Sequence, residues 1–337
     1  MLAEVWELLA YLKPSQNNTI LFEGERGLDE YQIIRQYFSG IGSHYLKEQG
    51  IKLSIGDDAA VIDIPQGKES VQSIDTSLSG VHFFDWMHPR DIAYRAVAIA
   101  LSDLAACGAT PSWYMLSITI NNVSHKWLNS FREGLEDISE EYKIPLIGGD
   151  TTKGSLSVTV QVGGYVDIGK SISRKGAKVG DLIFITGFIG EAAKELKYLK
   201  EKYKIPEART SSYLRPKVRI SVGEELREVA SAAIDVSDGL IQDLNHICDI
   251  NEVGANVYLE DIPCSKEETI KAEFINEGDD YEICFTAHFS VKQSIFQISQ
   301  KLEVPITEIG KIIDGSGVNV ISRSGQHINL THGYKHF

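Results

Sequence analysis

Several aspartates stand where apolar segments of the chain end, and this feature constrains the fold more than any other. Asp57 and Asp58 follow KLSIG, Asp75 follows VQSI, Asp150 follows PLIGG and Asp235 follows SAAI. Short apolar runs of this kind predict buried strands, so we expect these carboxylates to converge at strand ends. Two like charges about 4 Å apart repel by roughly 4 kcal/mol at an effective dielectric of about 20. Converging acids therefore need a compensating positive charge.

Asp103 interrupts a different apolar segment, the predicted helix DIAYRAVAIALSDLAACGA. A helix of such small apolar residues packs closely on all sides, so its carboxylate is expected to be buried or to line a cleft. An unpaired buried carboxylate costs several kcal/mol. Carboxylate oxygens without His or Cys ligands favour Mg²⁺, Ca²⁺ or Mn²⁺. Because Mg²⁺ commonly shares its coordination with substrate phosphates, the pattern predicts a magnesium site that also binds phosphate groups of a substrate.

The charge balance argues against some classes of function. The chain of 337 residues has 47 acidic and 33 basic side chains, a net charge of −14. Binding to nucleic acid needs a basic surface, so no nucleic-acid partner is expected. No apolar run reaches the roughly 20 residues that a membrane span requires, so no membrane association is expected. The cysteines Cys107, Cys248, Cys264 and Cys284 show no CxxC spacing, which predicts reduced thiols in a cytoplasmic protein.

Strand and helix patterns alternate along the chain and start again after about residue 170, which predicts a two-domain protein of mixed α/β and α+β structure. ALSDLA in the first half and DVSDGL in the second both place Ser-Asp in apolar surroundings. We expect an N-terminal extension at 1–26, a first domain at 27–168 and a second at 169–337. The predicted elements include a helix from Asp29 to about Lys47, strands at 52–64, 71–78 and 113–120, a helix capped by Ser124, and helices beginning near Arg215 and Asp238.

Each motif also has a purely structural interpretation. GDD is most often a turn, and Asp238 could be the N-cap of the helix that follows it. Arg174 could form an ordinary salt bridge, and His82 could be a packed histidine. The glycine-rich segments IGGDTTKG and GFIGEA could present backbone N–H groups to a phosphate. No GxxxxGK[ST] sequence occurs, so phosphate binding is expected to rest on the aspartates rather than on a P-loop.

The ordered series GDDAAV, DTSLSGVHF, ALSDLAACGA, LIGGDTTKG, SRKGAKVGD, IDVSDGL, GDDYEICF and HGYKHF resembles the bacterial thiamine-monophosphate kinases. The resemblance covers residues 27–337 in order. That family belongs to the AIR-synthetase-like (PurM-like) ATP-binding enzymes. The resemblance implies a two-domain PurM-like fold, with N-terminal strands forming a barrel across a homodimer and a C-terminal α+β domain. It also implies direct in-line phosphoryl transfer from ATP to thiamine monophosphate, which gives thiamine diphosphate.

The resemblance implies roles for the residues that match the motifs of the family. The ligands of Mg²⁺ would be Asp57, Ser73, Ile74, Asp75, Asp103, Asp150, Asp235 and Asp238. The catalytic carboxylates among them would be Asp103, Asp150 and Asp238. ATP would contact Gly149, Asp150, Arg174 and Ser237. Thiamine monophosphate would contact His82, Asp279 and Tyr334.

Three positions depart from the usual pattern of the family. Ile74 stands where Thr or Ser is usual, so only its backbone carbonyl could bind a metal. Asp279 stands where Glu is usual and has a shorter reach. Lys153 replaces an Arg, which keeps the charge but loses the bidentate fork of a guanidinium. The first 24 residues have no counterpart in the family.

Other enzymes of the superfamily are alternatives. A selenophosphate synthetase should carry a reactive Cys or selenocysteine near its N-terminus, whereas the first cysteine here is Cys107. A hydrogenase-maturation dehydratase should end in cysteine, whereas this chain ends in KHF. An AIR synthetase is possible, although GVHF and GYKHF favour the kinase. A non-catalytic nucleotide-binding module is a further alternative, and it would bind ATP without forming product.

Overall fold

The computed structural model describes residues 28–121, 124–202, 211–264 and 274–328. Within these ranges a four-stranded and a six-stranded sheet form, with helices packed on them, and Ile51–Leu53 and Val61–Ile62 pair separately as a small two-stranded sheet. The first half contains α1 (Glu30–Ile33), β1 (Ile51–Leu53), β2 (Val61–Ile62), β3 (Lys68–Leu78), α2 (Pro89–Ala106), β4 (Thr110–Ile120), α3 (His125–Tyr142), β5 (Leu146–Lys153) and β6 (Ser157–Asp167). The second half contains β7 (Leu182–Thr186), α4 (Glu191–Lys202), α5 (Ile220–Leu226), β8 (Ala232–Asp235), α6 (Leu240–Asn251), β9 (Gly254–Tyr258), β10 (Ile283–Ala287), α7 (Lys292–Leu302), β11 (Ile306–Ile313) and β12 (Gly317–Ile321). No helix in these ranges has both the length and the apolarity needed to cross a bilayer.

The first sheet has four strands in the order β3-β6-β4-β5. β6 pairs antiparallel with β3 and β4, whereas β5 pairs parallel with β4. Alternate residues of these strands, such as Ile118 and Val160, are buried in the main core with α2. The other face carries polar residues, among them Thr76 and Thr159, whose hydroxyl oxygens lie 2.9 Å apart. The sheet is open at both edges: the described strands of one chain form no closed barrel.

α2 is the central element between the two sheets. Pro89 occupies its first turn, where the missing N–H costs nothing, and the His88 side chain accepts a hydrogen bond from the Arg90 N–H. The helix is buried along nearly its whole length and packs on β3, β6, α3 and α5. The approach of α3 depends on Gly134, where a Cβ atom would lie 2.1 Å from the Arg90 carbonyl oxygen. This surrounding confirms the prediction of a helix packed on all sides.

The second sheet has six strands in the order β12-β9-β11-β7-β10-β8. One face, with Phe184 and Phe285 stacked at 5.2 Å, belongs to the same core as α2. The opposite face, with Ile185 and Ile234, packs in a separate core with α6. β8 therefore ends beside α2, which places the DVSDGL segment next to the helix that carries Asp103.

Three predicted elements differ in the structure. The helix expected from Asp29 to Lys47 is short: α1 continues as a π-helix over Ile34–Phe38, and the chain then turns because Gly40 and Gly42 have φ of 88° and 61°. At Gly42 a Cβ would lie 2.8 Å from a backbone oxygen, so the turn needs glycine. The strand predicted at 52–64 is only the short β1 and β2. The helix expected from Arg215 begins at Ile220, four residues after Pro216.

Candidate active site

Adjacent residues of α2 connect the two sheets at one point. The Ser73 hydroxyl on β3 donates a hydrogen bond to the Asp103 carboxylate. The Ser102 hydroxyl donates to Asp235 at 2.8 Å, at the end of β8. Asp75, two residues beyond Ser73 on the same strand, lies close enough to Asp103 for the two carboxylates to interact. The structure therefore brings together three predicted ligands, Asp75, Asp103 and Asp235, from both halves of the chain.

Burial and the nearby Asp103 charge raise the pKa values of Asp75 and Asp235 and so disfavour their charged forms. Burial raises the pKa of Asp75 to about 7, with the Asp103 charge as the next cause. Burial, followed by the Asp103 charge, raises the pKa of Asp235 to about 8, against the stabilising Ser102 hydrogen bond. Among the described residues no Lys or Arg forms an ion pair with any of the three. Carboxylates without an ion-pair partner favour a divalent cation with oxygen ligands.

The loop after β8 is held by a residue that sequence reasoning missed. The buried carboxylate of Asp243 accepts backbone N–H bonds from Ser237, Asp238 and Gly239 at 3.0, 3.0 and 3.1 Å. Burial raises the pKa of Asp243 to about 7, although these three donors oppose the shift. Asp238 is not the helix N-cap: Gly239 takes that position without a side-chain hydrogen bond. The available signal was the position of Asp243 in the first turn of a helix, where a negative charge is favoured.

A second group of predicted ligands lies elsewhere. Asp57, Gly149 and Asp150 line a cavity of about 760 Å³ between the 54–60 segment and β5. Both carboxylates are exposed, and each accepts a hydrogen bond from the N–H of the next residue. Gly149 has φ of 148°, and a Cβ there would lie 1.7 Å from the Leu116 carbonyl oxygen, so only glycine fits.

The two groups cannot share one ion within a single chain. Asp75 lies opposite Val160 on β6, whereas Asp150 lies opposite Ser117, whose other neighbour is Thr159. Because neighbouring residues on a strand point to opposite faces, Asp75 and Asp150 project from different faces of the sheet. Two strands also lie between β3 and β5, a separation of about 14 Å. Among the described residues no three His, Cys, Asp or Glu side chains are already arranged as a metal site, and this holds for Asp75, Asp103 and Asp235 as well.

The remaining metal and ATP residues surround the first group. Ile74 is exposed on β3, and its side chain offers no ligand atom. Arg174 is exposed and forms no salt bridge with any described residue. Within the described residues, the alternative that Arg174 forms an ordinary salt bridge is therefore wrong. Its charge lowers the pKa of Cys107, which burial, Asp103 and Asp235 together raise. Arg174 therefore lies close to the acid cluster.

Two predicted substrate residues lie near each other, one from each half of the chain. His82 accepts the Leu78 N–H at 3.0 Å through Nδ1, and its carbonyl accepts the Tyr213 hydroxyl at 2.9 Å. Asp279 accepts hydrogen bonds from Arg95 and from the Tyr281 hydroxyl. Sequence reasoning missed Arg95 because it reads as an interior residue of α2. The third predicted substrate residue, Tyr334, lies outside the described residues.

Two protein-family models match this chain, one in each half. The N-terminal domain of AIR synthase related protein matches residues 56–166, and the C-terminal domain matches residues 178–323. The thiamine-monophosphate kinase of Escherichia coli K12 is 39% identical over 322 residues, which cover 91% of this chain and 98% of that protein. This chain belongs to the thiamine-monophosphate kinase family. The resemblance predicted from the motifs is thereby confirmed.

Solved structures of the same family share the fold. The thiamine-monophosphate kinase from Stenotrophomonas maltophilia K279a is 36% identical, with a TM-score of 0.77, and covers 83% of this chain and 94% of that one. AaThiL, solved in complex with AMPPCP and TMP, is 26% identical, with a TM-score of 0.69, and covers 93% of this chain and 100% of that one. The predicted two-domain, mixed α/β fold is confirmed by these matches.

Proposed function

We propose that this chain phosphorylates thiamine monophosphate with ATP and releases thiamine diphosphate and ADP. The observation that carries the proposal is the junction at α2, where Asp75, Asp103 and Asp235 meet without a compensating cation. A family of kinases that act on a charged phosphate acceptor needs such a place for metal-bound phosphates. The AaThiL structure, with an ATP analogue and TMP bound together, supports both substrates for this chain.

The proposed ligand assignment extends over both groups of residues. Magnesium would be held by Asp57, Ser73, the Ile74 carbonyl, Asp75, Asp103, Asp150, Asp235 and Asp238. ATP would contact Gly149, Asp150, Arg174 and Ser237. Bound magnesium would neutralise phosphate charge and polarise the transferred group.

The side chains supply position and electrostatics rather than covalent chemistry. The acceptor phosphate is already largely ionised at neutral pH, so no side chain needs to remove a proton. Asp243 fixes the loop that carries Ser237 and Asp238, because its carboxylate satisfies three consecutive N–H groups. Ser73 and Ser102 orient Asp103 and Asp235. In-line transfer then depends on holding the donor and the acceptor in one geometry.

We also propose that the enzyme is a homodimer in which each site takes residues from both subunits. Asp57, Gly149 and Asp150 lie far from the Asp103 cluster in one chain, on the other face of an open sheet. A second copy that closes the sheet into a barrel would bring its own Asp150 group to that cluster. We further propose that the two domains divide near residue 168 and that the enzyme is located in the cytoplasm. Light scattering of the purified protein tests the dimer.

An activity assay tests the function. The purified chain is incubated with ATP, Mg²⁺ and thiamine monophosphate, and thiamine diphosphate is quantified by chromatography. Product that disappears on addition of a chelator supports the proposal. Magnesium-dependent ATP binding without product overturns the substrate assignment and favours another acceptor of the AIR-synthetase-like enzymes or a non-catalytic nucleotide-binding module.

A further inference from the structure

Arg95 is the buried centre of a cluster that joins three parts of the chain. Its side chain on α2 is 4% exposed. One terminal nitrogen donates to the Tyr213 carbonyl oxygen and the other forms an ion pair with Asp279. The guanidinium carbon also lies 4.2 Å from the centre of the Tyr213 ring and 5.6 Å from that of the Tyr281 ring. A planar cation between two aromatic faces is held in a single orientation.

The Arg95 cluster reaches His82 and Asp279, the two described residues that would contact thiamine monophosphate. The Tyr213 hydroxyl donates to the His82 carbonyl at 2.9 Å. The Tyr281 hydroxyl donates to Asp279 Oδ1 at 3.0 Å, on the same oxygen that contacts Arg95. His82 comes from the first half of the chain and Asp279 from the second. Arg95 therefore fixes the position of one relative to the other.

The loop that carries Asp279 needs such support. Asp279 and Tyr281 have φ of 63° and 50°, a left-handed conformation that side chains other than glycine seldom adopt. Strain of this kind persists only where the surroundings impose it, and it gathers at functional sites. The Asp279 N–H donates to the Ser237 carbonyl at 2.8 Å, which ties the same loop to the proposed ATP residues.

The ion pair with Arg95 also offsets the negative charge of the Asp279 carboxylate. Asp279 keeps 28% of its side-chain surface exposed, so part of the carboxylate is accessible to a ligand. A free carboxylate at this place would repel the phosphate of the acceptor. The Arg95 guanidinium offsets that charge from the buried side. Within the described chain Arg95 Nε has no hydrogen-bond partner, an unfavourable feature for a residue whose only contribution is stability.

We propose that Arg95 is a positioning residue of the acceptor site: it holds Asp279 directly, and His82 through Tyr213, in the arrangement that binds thiamine monophosphate. This inference rests on the proposed function. Arg95 contacts neither the acid cluster nor the cavity at Gly149, and the bond between Asp279 and Ser237 joins main-chain atoms only. The loss of Arg95 should therefore weaken acceptor binding and leave Mg²⁺–ATP binding intact.

Steady-state kinetics and binding of the full chain test the inference. For Arg95→Lys and Arg95→Met we expect the KM for thiamine monophosphate to rise about ten- to a hundredfold, with Lys less affected, because a charged hydrogen bond is lost. The KM for ATP and the Kd for Mg²⁺–ATP should change less than about twofold. Arg323→Met removes an exposed ion pair with Asp261, away from the Arg95 cluster, and serves as a surface control for the loss of an arginine.

A milder variant keeps the test decisive if the Arg95 variants do not fold. Tyr213→Phe keeps the ring on the guanidinium and removes only the hydroxyl that binds His82, and it should raise the same KM about threefold to tenfold. Folded variants with an unchanged KM for the acceptor overturn the inference, and so does an equal rise of both KM values. A parent protein that forms no thiamine diphosphate refutes the proposed function instead, so the two failures are distinguishable.

Discussion

Replacing Asp103 with Asn should stabilise the metal-free protein while it abolishes turnover. Asp103 raises the pKa values of two buried neighbours, Asp75 and Asp235, through its charge. An Asn side chain has the same shape, still accepts the Ser73 hydrogen bond and offers an N–H to Asp75. The repulsion inside the cluster would therefore be replaced by a hydrogen bond.

The size of the effect follows from the Asp75 pKa. Its rise from 3.8 to about 7 corresponds to about 4 kcal/mol at roughly 1.36 kcal/mol per unit. Burial is the largest cause and survives the substitution, so the part that Asn relieves is about 1–2 kcal/mol. A pKa raised in the folded state means stability that is fully present below about pH 4 and is lost as the pH rises through about 7. The gain of the variant should thus be absent near pH 4 and, for Asp75, largely present near pH 8, where it raises Tm by about 3 °C.

Thermal unfolding of the parent and the variant, with a chelator and with Mg²⁺–ATP, measures both parts of this prediction. Without metal the variant should melt higher at pH 8, and with Mg²⁺–ATP the parent should gain more. Asp314→Asn, in the exposed turn after β11, should change neither result. A variant that melts no higher than the parent at pH 8, or one with near-normal turnover, would falsify the assignment of Asp103 to a cation site.

Three further substitutions test the Asp243 loop, the backbone at Gly149 and a buried ion pair outside the site. Asp243→Asn should destabilise the protein by about 1–3 kcal/mol in urea unfolding and weaken Mg²⁺–ATP binding, because a neutral amide oxygen is a weaker acceptor than the carboxylate oxygen Oδ2, which accepts all three N–H bonds; unchanged ATP affinity would contradict its positioning role. Gly149→Ala should cost about 2–4 kcal/mol, since its Cβ would meet Leu116, and a soluble variant with normal Tm and ATP affinity would refute the geometry there. Arg219→Met should cost about 3–5 kcal/mol in chemical denaturation, because Glu282 would stay buried without its bidentate partner; adding Glu282→Gln should restore part of the loss.

Local patterns predicted the regular elements well. The strand at 71–78 is the end of β3, and the Ser124 side chain accepts the Trp127 N–H at the start of α3, as its cap position indicates. The failures have local causes as well. Paired glycines break the predicted helix at Gly40 and Gly42, where the backbone takes positive φ. An apolar count cannot detect that change of direction.

The site was predictable only in part. Asp103 and Asp235 were identified because a carboxylate in apolar surroundings is unusual at any position. Arg95 gave no such signal, because its partner Asp279 lies 184 residues further along the chain. The separation of Asp150 from Asp75 depends on strand order and on which face each residue occupies. Sequence spacing contains neither quantity.

The close packing of α2 makes that helix a molecular ruler. Arg95 and Asp103 lie about two turns, or roughly 12 Å, apart along its axis. In the proposed enzyme Arg95, at one end of this interval, positions the site of thiamine monophosphate, and Asp103, at the other end, helps to hold magnesium and ATP. One inserted residue between them would rotate Arg95 by about 100° relative to Asp103 and shift it by about 1.5 Å. The length of this interval of helix is therefore fixed by the two contacts that it separates.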